Sequence, residues 1–153
     1  MEVRPDPEYL MAERDFDSIF TYTAGIVRSK FLTELRDNEN IVGTKCSDCN
    51  TVWVPARSTC VKCFASLSNF VDVGKSGTLT TYSVIHRSQE IYPMETPFIL
   101  GIIKLDGADT GLVHFINEIS PEDVKIGMEV EAVFSEERTG SISDIKYFRP
   151  VRA

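Results

Sequence analysis

Four cysteines are the residues of this chain whose type and spacing point most directly to chemistry. They form two C-x-x-C pairs, Cys46 with Cys49 and Cys60 with Cys63, and ten residues separate the pairs. Each tight turn lets two thiolates converge, and a short hairpin between the turns brings the pairs together into a closed tetrahedral S₄ site. The spacing therefore predicts a structural Zn²⁺ ion bound by these four cysteines.

Three other roles are open to the same cysteines. Disulfides are disfavoured because nothing in the sequence indicates secretion. A redox C-x-x-C needs a thioredoxin-like βαβ setting, whereas the surrounding residues are typical of short strands and turns. Iron in a rubredoxin-like site has the same ligand set and stays open as the alternative to zinc.

A closed S₄ site limits what this chain can catalyse. Such an ion has no open coordination position, so it holds structure and activates neither a water nor a substrate carbonyl. With every cysteine committed to metal, no thiol is left as a nucleophile for acyl transfer. The two histidines, His86 and His114, lie in apolar stretches and are expected to be structural rather than general bases. We therefore expect no catalytic residue in this chain.

The elements that must position the cysteines divide the chain into three parts. Residues 1–40 predict a helical arm, because apolar residues, among them Phe31 and Leu35, recur at spacings of four. Residues 41–76 predict a rubredoxin-like zinc ribbon, and residues 77–153 predict a five-stranded barrel. The arm either packs on its own domain or docks on a partner chain.

The third part has the alternating and β-branched patterning of strands. Between the third and fourth predicted strands, Ser120-Pro121 followed by Asp123 predicts the start of a short helix. This order of elements is that of an OB-fold barrel, so we predict a mixed, mainly β fold. A six-element β-sandwich is the alternative. The predicted strands are residues 77–87, 96–105, 111–117, 129–135 and 143–149.

Composition and charge exclude several classes of protein. The 42% hydrophobic and 25% charged residues are those of an ordinary globular chain. The net charge of −7 divides into −4 for residues 1–40, +2 for residues 41–76 and −5 for the rest, which offers no basic stripe for nucleic acid. No apolar stretch approaches the roughly 20 residues of a membrane span, and the N-terminus lacks a signal-peptide layout. We expect a cytoplasmic protein with neither a membrane nor a nucleic acid as its partner.

Several stretches carry a family resemblance beyond the cysteine pairs. Together they resemble the acyl-CoA-associated zinc-ribbon/OB-fold family once classed as a domain of unknown function, over about residues 28–150. Asn50 replaces the family's usual glycine after the second cysteine, and asparagine tolerates a left-handed backbone there. The matching stretches are FLTEL at 31–35, WVPAR at 53–57, GTLTTYSVIH at 77–86, PFILGIIKLD at 97–106 and IGMEV at 126–130.

The resemblance implies an accessory subunit of a thiolase-type enzyme. A thiolase-like catalytic subunit would supply the cysteine nucleophile in a hetero-oligomer, while the OB barrel would help to enclose CoA or acyl-CoA. The arm and the ribbon would contact that partner, with Phe20, Phe31 and Trp53 expected at the interface. Arg57 and Lys62 are expected to face the CoA phosphates, and the alternative is that they brace the ribbon.

A second function from another class uses the same modules. Zinc ribbons and OB barrels both occur in single-stranded nucleic-acid binders, and Tyr82, Phe98 and Phe115 are aromatic residues that could stack on bases. Their neighbours are acidic, and a barrel with a net charge of −5 repels phosphate. The charge therefore favours the accessory-subunit interpretation.

Overall fold

The computed structural model describes residues 20–89, 92 and 94–151. Within these ranges, the helix α1 (Gly25–Asn38) precedes a small three-stranded sheet and a closed five-stranded barrel. The strands are β1 (Val42–Lys45), β2 (Val52–Trp53), β3 (Phe70–Asp72), β4 (Ser76–Ile85), β5 (Phe98–Leu105), β6 (Gly111–Ile116), β7 (Glu129–Phe134) and β8 (Ile145–Pro150). A 3₁₀-helix, Ile142–Asp144, leads into β8.

Helix α1 is shorter than the predicted arm and packs on its own chain. It begins at Gly25, and Glu39 ends it in the left-handed conformation with its N–H donating to the carbonyl of Glu34. Phe31 and Leu35 are buried in the core, which confirms the apolar face predicted from the spacing of four. Residues 20–24 are not helical, and the part of the predicted arm before residue 20 lies outside the described residues.

The ribbon sheet has the order β2-β1-β3, and both pairings are antiparallel. Thr44 of β1 lies opposite Trp53 on one side and Phe70 on the other. The side-chain oxygen of Thr44 also accepts a hydrogen bond from the N–H of Arg57 and donates one to its carbonyl, both at 2.9 Å. This pair of bonds fixes the loop that leads into the second cysteine pair.

The barrel has the strand order β4-β5-β6-β8-β7 and closes because β7 pairs with the beginning of β4. All five predicted strands form, and the order is that of an OB fold rather than a β-sandwich. Strands β6 and β8 are parallel, and within the described residues their one register pair is Ile116 opposite Phe148. This short pairing is the seam of the barrel.

The helix predicted at Ser120 does not form. The segment after β6 consists of turns, in which the N–H of Asp123 donates to the carbonyl of Ser120. The N–H of Gly127 then donates to the carbonyl of Leu79, and the N–H of Leu79 donates to the carbonyl of Met128. These two bonds tie the end of the segment to the irregular part of β4, so the chain turns towards β4 instead of continuing as a helix.

Helix, ribbon and barrel contribute to one buried apolar cluster. Leu35 from α1, Val54 and Val73 from the ribbon, and Leu105 and Phe148 from the barrel all belong to it. The boundaries predicted at residues 40 and 76 therefore separate chain segments that share a core. Among the described residues, no helix is long and apolar enough to span a membrane.

Candidate metal centre

Two turns of similar backbone geometry present the cysteines. In the first, the N–H of Cys46 donates to the carbonyl of Thr51 at 2.9 Å, and in the second the N–H of Cys60 donates to the carbonyl of Ala65 at 2.9 Å. The residue after the second cysteine of each pair is left-handed, with φ 49° at Asn50 and φ 62° at Phe64. The tolerance expected of Asn50 is thus confirmed, and we call these turns the first and second knuckle.

The four sulfur positions fit a tetrahedral ion. The Sγ atoms of Cys46, Cys49, Cys60 and Cys63 all lie within 4.8 Å of one another, and those of Cys46 and Cys63 are 3.6 Å apart. Four thiolates about 2.3 Å from a zinc ion have sulfurs separated by roughly 3.8 Å. The four cysteines would therefore hold Zn²⁺ in a closed site, where the ion crosslinks the two knuckles.

Backbone donors and neighbouring thiols set the acidity of these sulfurs. Burial raises the pKa of Cys60, but the backbone N–H groups of Cys63 and Lys62 outweigh it and lower this pKa to about 6. The thiol of Cys63, followed by burial and the proximity of Cys60, raises the pKa of Cys49 to about 12. The backbone N–H groups of the second knuckle therefore favour the thiolate form of Cys60, which is the form that binds a metal ion.

Lys62 links the two knuckles. Its Nζ donates to Oγ1 of Thr51 at 3.1 Å, and that hydroxyl donates to the carbonyl of Cys49. The ammonium group of Lys62 is therefore held on the ribbon through Thr51. Arg57 is exposed, and its guanidinium lies 5.5 Å from the centroid of the Trp53 ring.

The comparisons with known proteins agree with this architecture. The family model of the ChsH2 rubredoxin-like zinc ribbon domain matches residues 33–68, and that of the ChsH2 C-terminal OB-fold domain matches residues 70–135. A DUF35 domain-containing scaffold protein of Methanocaldococcus jannaschii is 34% identical over 102 residues, which cover 65% of this chain and 71% of the relative. This chain belongs to the DUF35 family.

A second relative and two solved structures are also similar to this DUF35 protein. A scaffold protein of the same description from Methanothermobacter thermautotrophicus is 31% identical over 65% of this chain and 74% of its own length. The structure of an Ltp2-ChsH2(DUF35) aldolase superposes with a TM-score of 0.62 at 22% identity, covering 85% of this chain and 98% of that one. A DUF35 protein of unknown function from Sulfolobus solfataricus superposes with a TM-score of 0.57 at 25% identity, over 79% and 81% of the two chains.

Two residues expected at a partner interface are buried inside this DUF35 chain. Phe31 is 3% exposed in the core shared by α1 and the barrel, and Trp53 is 9% exposed among Cys46, Cys60 and Leu67. Neither ring is free to insert into a partner in this conformation, so both expectations are corrected. Phe20, by contrast, is 72% exposed ahead of α1.

The two histidines occupy different environments. His86 is exposed immediately after β4, whereas His114 is buried in β6. The N–H of Phe115 donates to Nδ1 of His114 at 3.0 Å, and Nε2 lies 3.4 Å from the carbonyl oxygen of Ile142. Burial lowers the pKa of His114, so the neutral ring with its proton on Nε2 satisfies both partners. Its role is to bridge the seam of the barrel.

Sequence reasoning missed two features near the metal centre. Arg28 of α1 lines the same cavity as Arg57, of about 690 Å³, but no spacing along the chain connects two residues so far apart. Phe64 is left-handed and exposed on the second knuckle. The sequence does carry a signal for the left-handed backbone of Phe64. Aligning the two C-x-x-C pairs places Phe64 where the first pair has Asn50.

Proposed function

We propose that this chain is a non-catalytic accessory subunit of a thiolase-type acyl-CoA enzyme complex, which docks on the catalytic subunit and helps to enclose CoA or acyl-CoA. One observation carries the proposal: the sulfurs of all four cysteines lie within 4.8 Å of one another, so a closed metal site commits every thiol. The nucleophile that acyl transfer needs must then come from another chain.

Exposed apolar residues ahead of and within the first turn of α1 support docking. Phe20 and Tyr22 are exposed, and Ile26 is 88% exposed. Such residues lose unfavourable hydration when a partner covers them. The curated relatives are described as scaffold proteins, and the structural neighbour combines a DUF35 protein with Ltp2 in an aldolase, which supports a catalytic partner.

Three adjoining cavities support a role in enclosing CoA. The first, between α1 and the ribbon, is lined by Arg28 and Arg57, and a second of about 540 Å³ shares Arg28 and Ala56 with it. A third, of about 450 Å³, shares Ile142 with the second and lies on the outer face of the barrel near Phe115. In the proposal, the guanidinium groups bind the CoA phosphates and the last cavity takes an apolar acyl group.

Of the two residues expected to face CoA, only Arg57 lines the cavity between α1 and the ribbon. The Nζ atom of Lys62 is hydrogen-bonded to Thr51, and Lys62 does not line the cavity that contains Arg57. The proposal therefore assigns the phosphates to Arg57 together with Arg28. Lys62 braces the ribbon, where its charge offsets that of the thiolates.

The nucleic-acid alternative is not favoured by the placement of its aromatic residues. Phe98 is buried, and the hydroxyl of Tyr82 donates to the carbonyl of Val124 at 3.0 Å. Base stacking on an OB fold uses exposed rings in a positively charged groove. Of the three aromatic residues, Phe115 alone lines the cavity on the outer face of the barrel.

Reconstitution tests the proposal. The zinc-loaded chain is co-expressed with a thiolase-like catalytic subunit, and the mass of the complex and its acyl-CoA turnover are measured. We expect a stable hetero-oligomer, no turnover by this chain alone, and a KM for acyl-CoA raised about tenfold by Arg57→Ala. Arg87→Ala, a charge change at an exposed residue outside these cavities, is the matched control. Turnover by the isolated chain would contradict the proposal.

A further inference from the structure

The cavity of about 450 Å³ on the outer face of the barrel combines apolar walls with a single charge. It lies beside the seam, where β6 and β8 have one register pair within the described residues. Val113 of β6 is 55% exposed there. Apolar side chains that are exposed in this way lose unfavourable hydration when a ligand covers them. The apolar part of the lining is Met94, Leu100, Val113, Phe115, Ile142 and Ile145.

Lys146 of β8 brings the charge to this lining. The side chain is exposed, and its Nζ lies 5.8 Å from the centroid of the Tyr147 ring. Burial lowers the pKa of His114, so this second basic side chain of the lining is neutral. In the part of the chain that the structure describes, no carboxylate forms an ion pair with the ammonium group of Lys146.

The carboxylates nearest to this cavity along the chain are bound elsewhere or lie outside it. Asp144 is buried and accepts three backbone N–H groups at 2.8 to 3.1 Å. Glu118 accepts a hydrogen bond from the hydroxyl of Tyr147 and lies 3.6 Å from Nη1 of Arg149. Glu95 is exposed and lines an adjoining cavity of about 280 Å³ instead. Lys146 is therefore the charged residue of the lining, and no described carboxylate lines the cavity.

This lining favours two properties in one ligand. The apolar walls favour an apolar body, and the single ammonium group favours one negative charge carried by oxygen acceptors. A carboxylate carries one such charge, whereas a phosphate monoester carries nearly two at neutral pH. Val113 and Lys146 lie on neighbouring strands of the barrel and line the same cavity, so one ligand can contact both.

We propose that this cavity binds an apolar carboxylate, whose charged end pairs with Lys146 while Val113 and Phe115 cover its apolar body. The inference rests on the proposed function, in which the same cavity takes an acyl group, and goes beyond it by naming the chemical class of the ligand. Two sources supply this chemistry. One is a free apolar acid, and the other is an acyl-CoA whose acyl group ends in a carboxylate.

Hexanoate and 1-hexanol test the inference on the zinc-loaded full chain. The two probes share an apolar body and differ in the carboxylate, so NMR titration at pH 7.5 should give a lower Kd for hexanoate, with amide shifts at Val113 and Lys146. Lys146→Glu should raise the Kd for hexanoate about tenfold and leave that for 1-hexanol within about twofold. Lys104→Glu is the matched control, because it reverses an exposed charge on β5 outside this cavity.

Two thioesters distinguish the sources of the carboxylate. Adipoyl-CoA has a carboxylate at the far end of its acyl group, and hexanoyl-CoA lacks it. A lower Kd for adipoyl-CoA that Lys146→Glu abolishes supports the inference with an acyl-CoA as the ligand. Binding of hexanoate without any preference between the two thioesters supports the inference with a free acid.

The remaining outcomes separate the inference from the proposed function. If hexanoate and 1-hexanol bind with equal Kd, the carboxylate is not recognised and the inference is overturned, while a cavity for an apolar acyl group stands. If Lys104→Glu raises the Kd for hexanoate as much as Lys146→Glu does, the effect is one of net charge and the inference is also overturned. If no probe shifts the amides at the cavity, the inference fails, whereas the accessory role is decided by reconstitution with the catalytic subunit.

Discussion

Asp109, in the turn between β5 and β6, exchanges two hydrogen bonds with Val52 at the start of β2. The N–H of Val52 donates to Oδ2 of Asp109 at 2.8 Å, and the N–H of Asp109 donates to the carbonyl of Val52 at 3.0 Å. Thr110 repeats the exchange with Val54, through bonds of 2.9 and 3.2 Å that both involve its hydroxyl. A turn of the barrel thus clamps the strand that carries the chain from the first knuckle to the second.

Replacing Asp109 by alanine should weaken this clamp. Val52 loses the acceptor for its N–H, so we expect the free energy of unfolding to fall by about 1–2 kcal/mol. The backbone amide of Val52 should also exchange its hydrogen faster. Urea unfolding and amide exchange measure the two effects. Asp106→Ala, in the same exposed turn, is the control, and an equal loss in both variants would show that the clamp contributes nothing specific.

Loss of the metal should destabilise more than the ribbon. Cys49→Ser removes one of four ligands, and zinc binding contributes on the order of 10 kcal/mol in small zinc modules. Because Val54 and Val73 belong to the same core as the barrel residue Leu105, we expect one cooperative calorimetric transition at a lower temperature. Zinc per chain is measured in parallel, with Ser47→Ala as the control. A separate barrel transition at the wild-type temperature would contradict the shared core.

The barrel and the metal site could be predicted because their signals are local. Strand patterning gave all five barrel strands in order, and the spacing of two C-x-x-C pairs was enough to bring the sulfurs together. The prediction of a helix at Ser120 was wrong because the structure of that segment depends on a distant residue. The capping signal at Ser120 is local, whereas the backbone of Gly127 is held by Leu79. A long-range pairing therefore overrode a correct local preference.

The interface residues show a second limit. Periodicity identified Phe31 as apolar and inward-facing on its helix, but it does not state whether the same chain or another chain covers that face. The structure places the ring against its own core, and Trp53 likewise fills the interior of the ribbon. Burial of an aromatic residue thus depends on the packing of distant segments, which no single stretch of this sequence encodes.

Asp144 should be among the most sensitive positions of the barrel. Its buried carboxylate accepts hydrogen bonds from the N–H groups of Thr139, Gly140 and Ser141, at 2.8 to 3.1 Å. Asp144→Ala leaves three donors without an acceptor, so we expect a loss of about 3 kcal/mol in denaturant unfolding. Asp123→Ala, an exposed carboxylate, serves as the control. A loss below about 1 kcal/mol for Asp144→Ala would mean that water replaces the carboxylate.

His114 should make stability depend on pH in a defined direction. Burial lowers its pKa in the folded chain, whereas the unfolded chain keeps an ordinary value of about 6.5. As the pH falls below about 6.5, the unfolded state therefore binds more protons than the folded state does, and the free energy of unfolding decreases. Protonation of Nδ1 also removes the acceptor for the N–H of Phe115 within β6, which adds to the loss of stability.

The two histidines provide their own control for this prediction. Unfolding free energies of the zinc-loaded chain are measured between pH 7.5 and 5.5, with zinc content monitored at each pH. His114→Gln should be less stable at pH 7.5 but show a flatter pH dependence, because the buried titrating group is gone. His86→Gln changes an exposed residue and should keep the wild-type slope. If His86→Gln flattens the pH dependence of the unfolding free energy and His114→Gln does not, protonation of His114 is not the cause of that dependence.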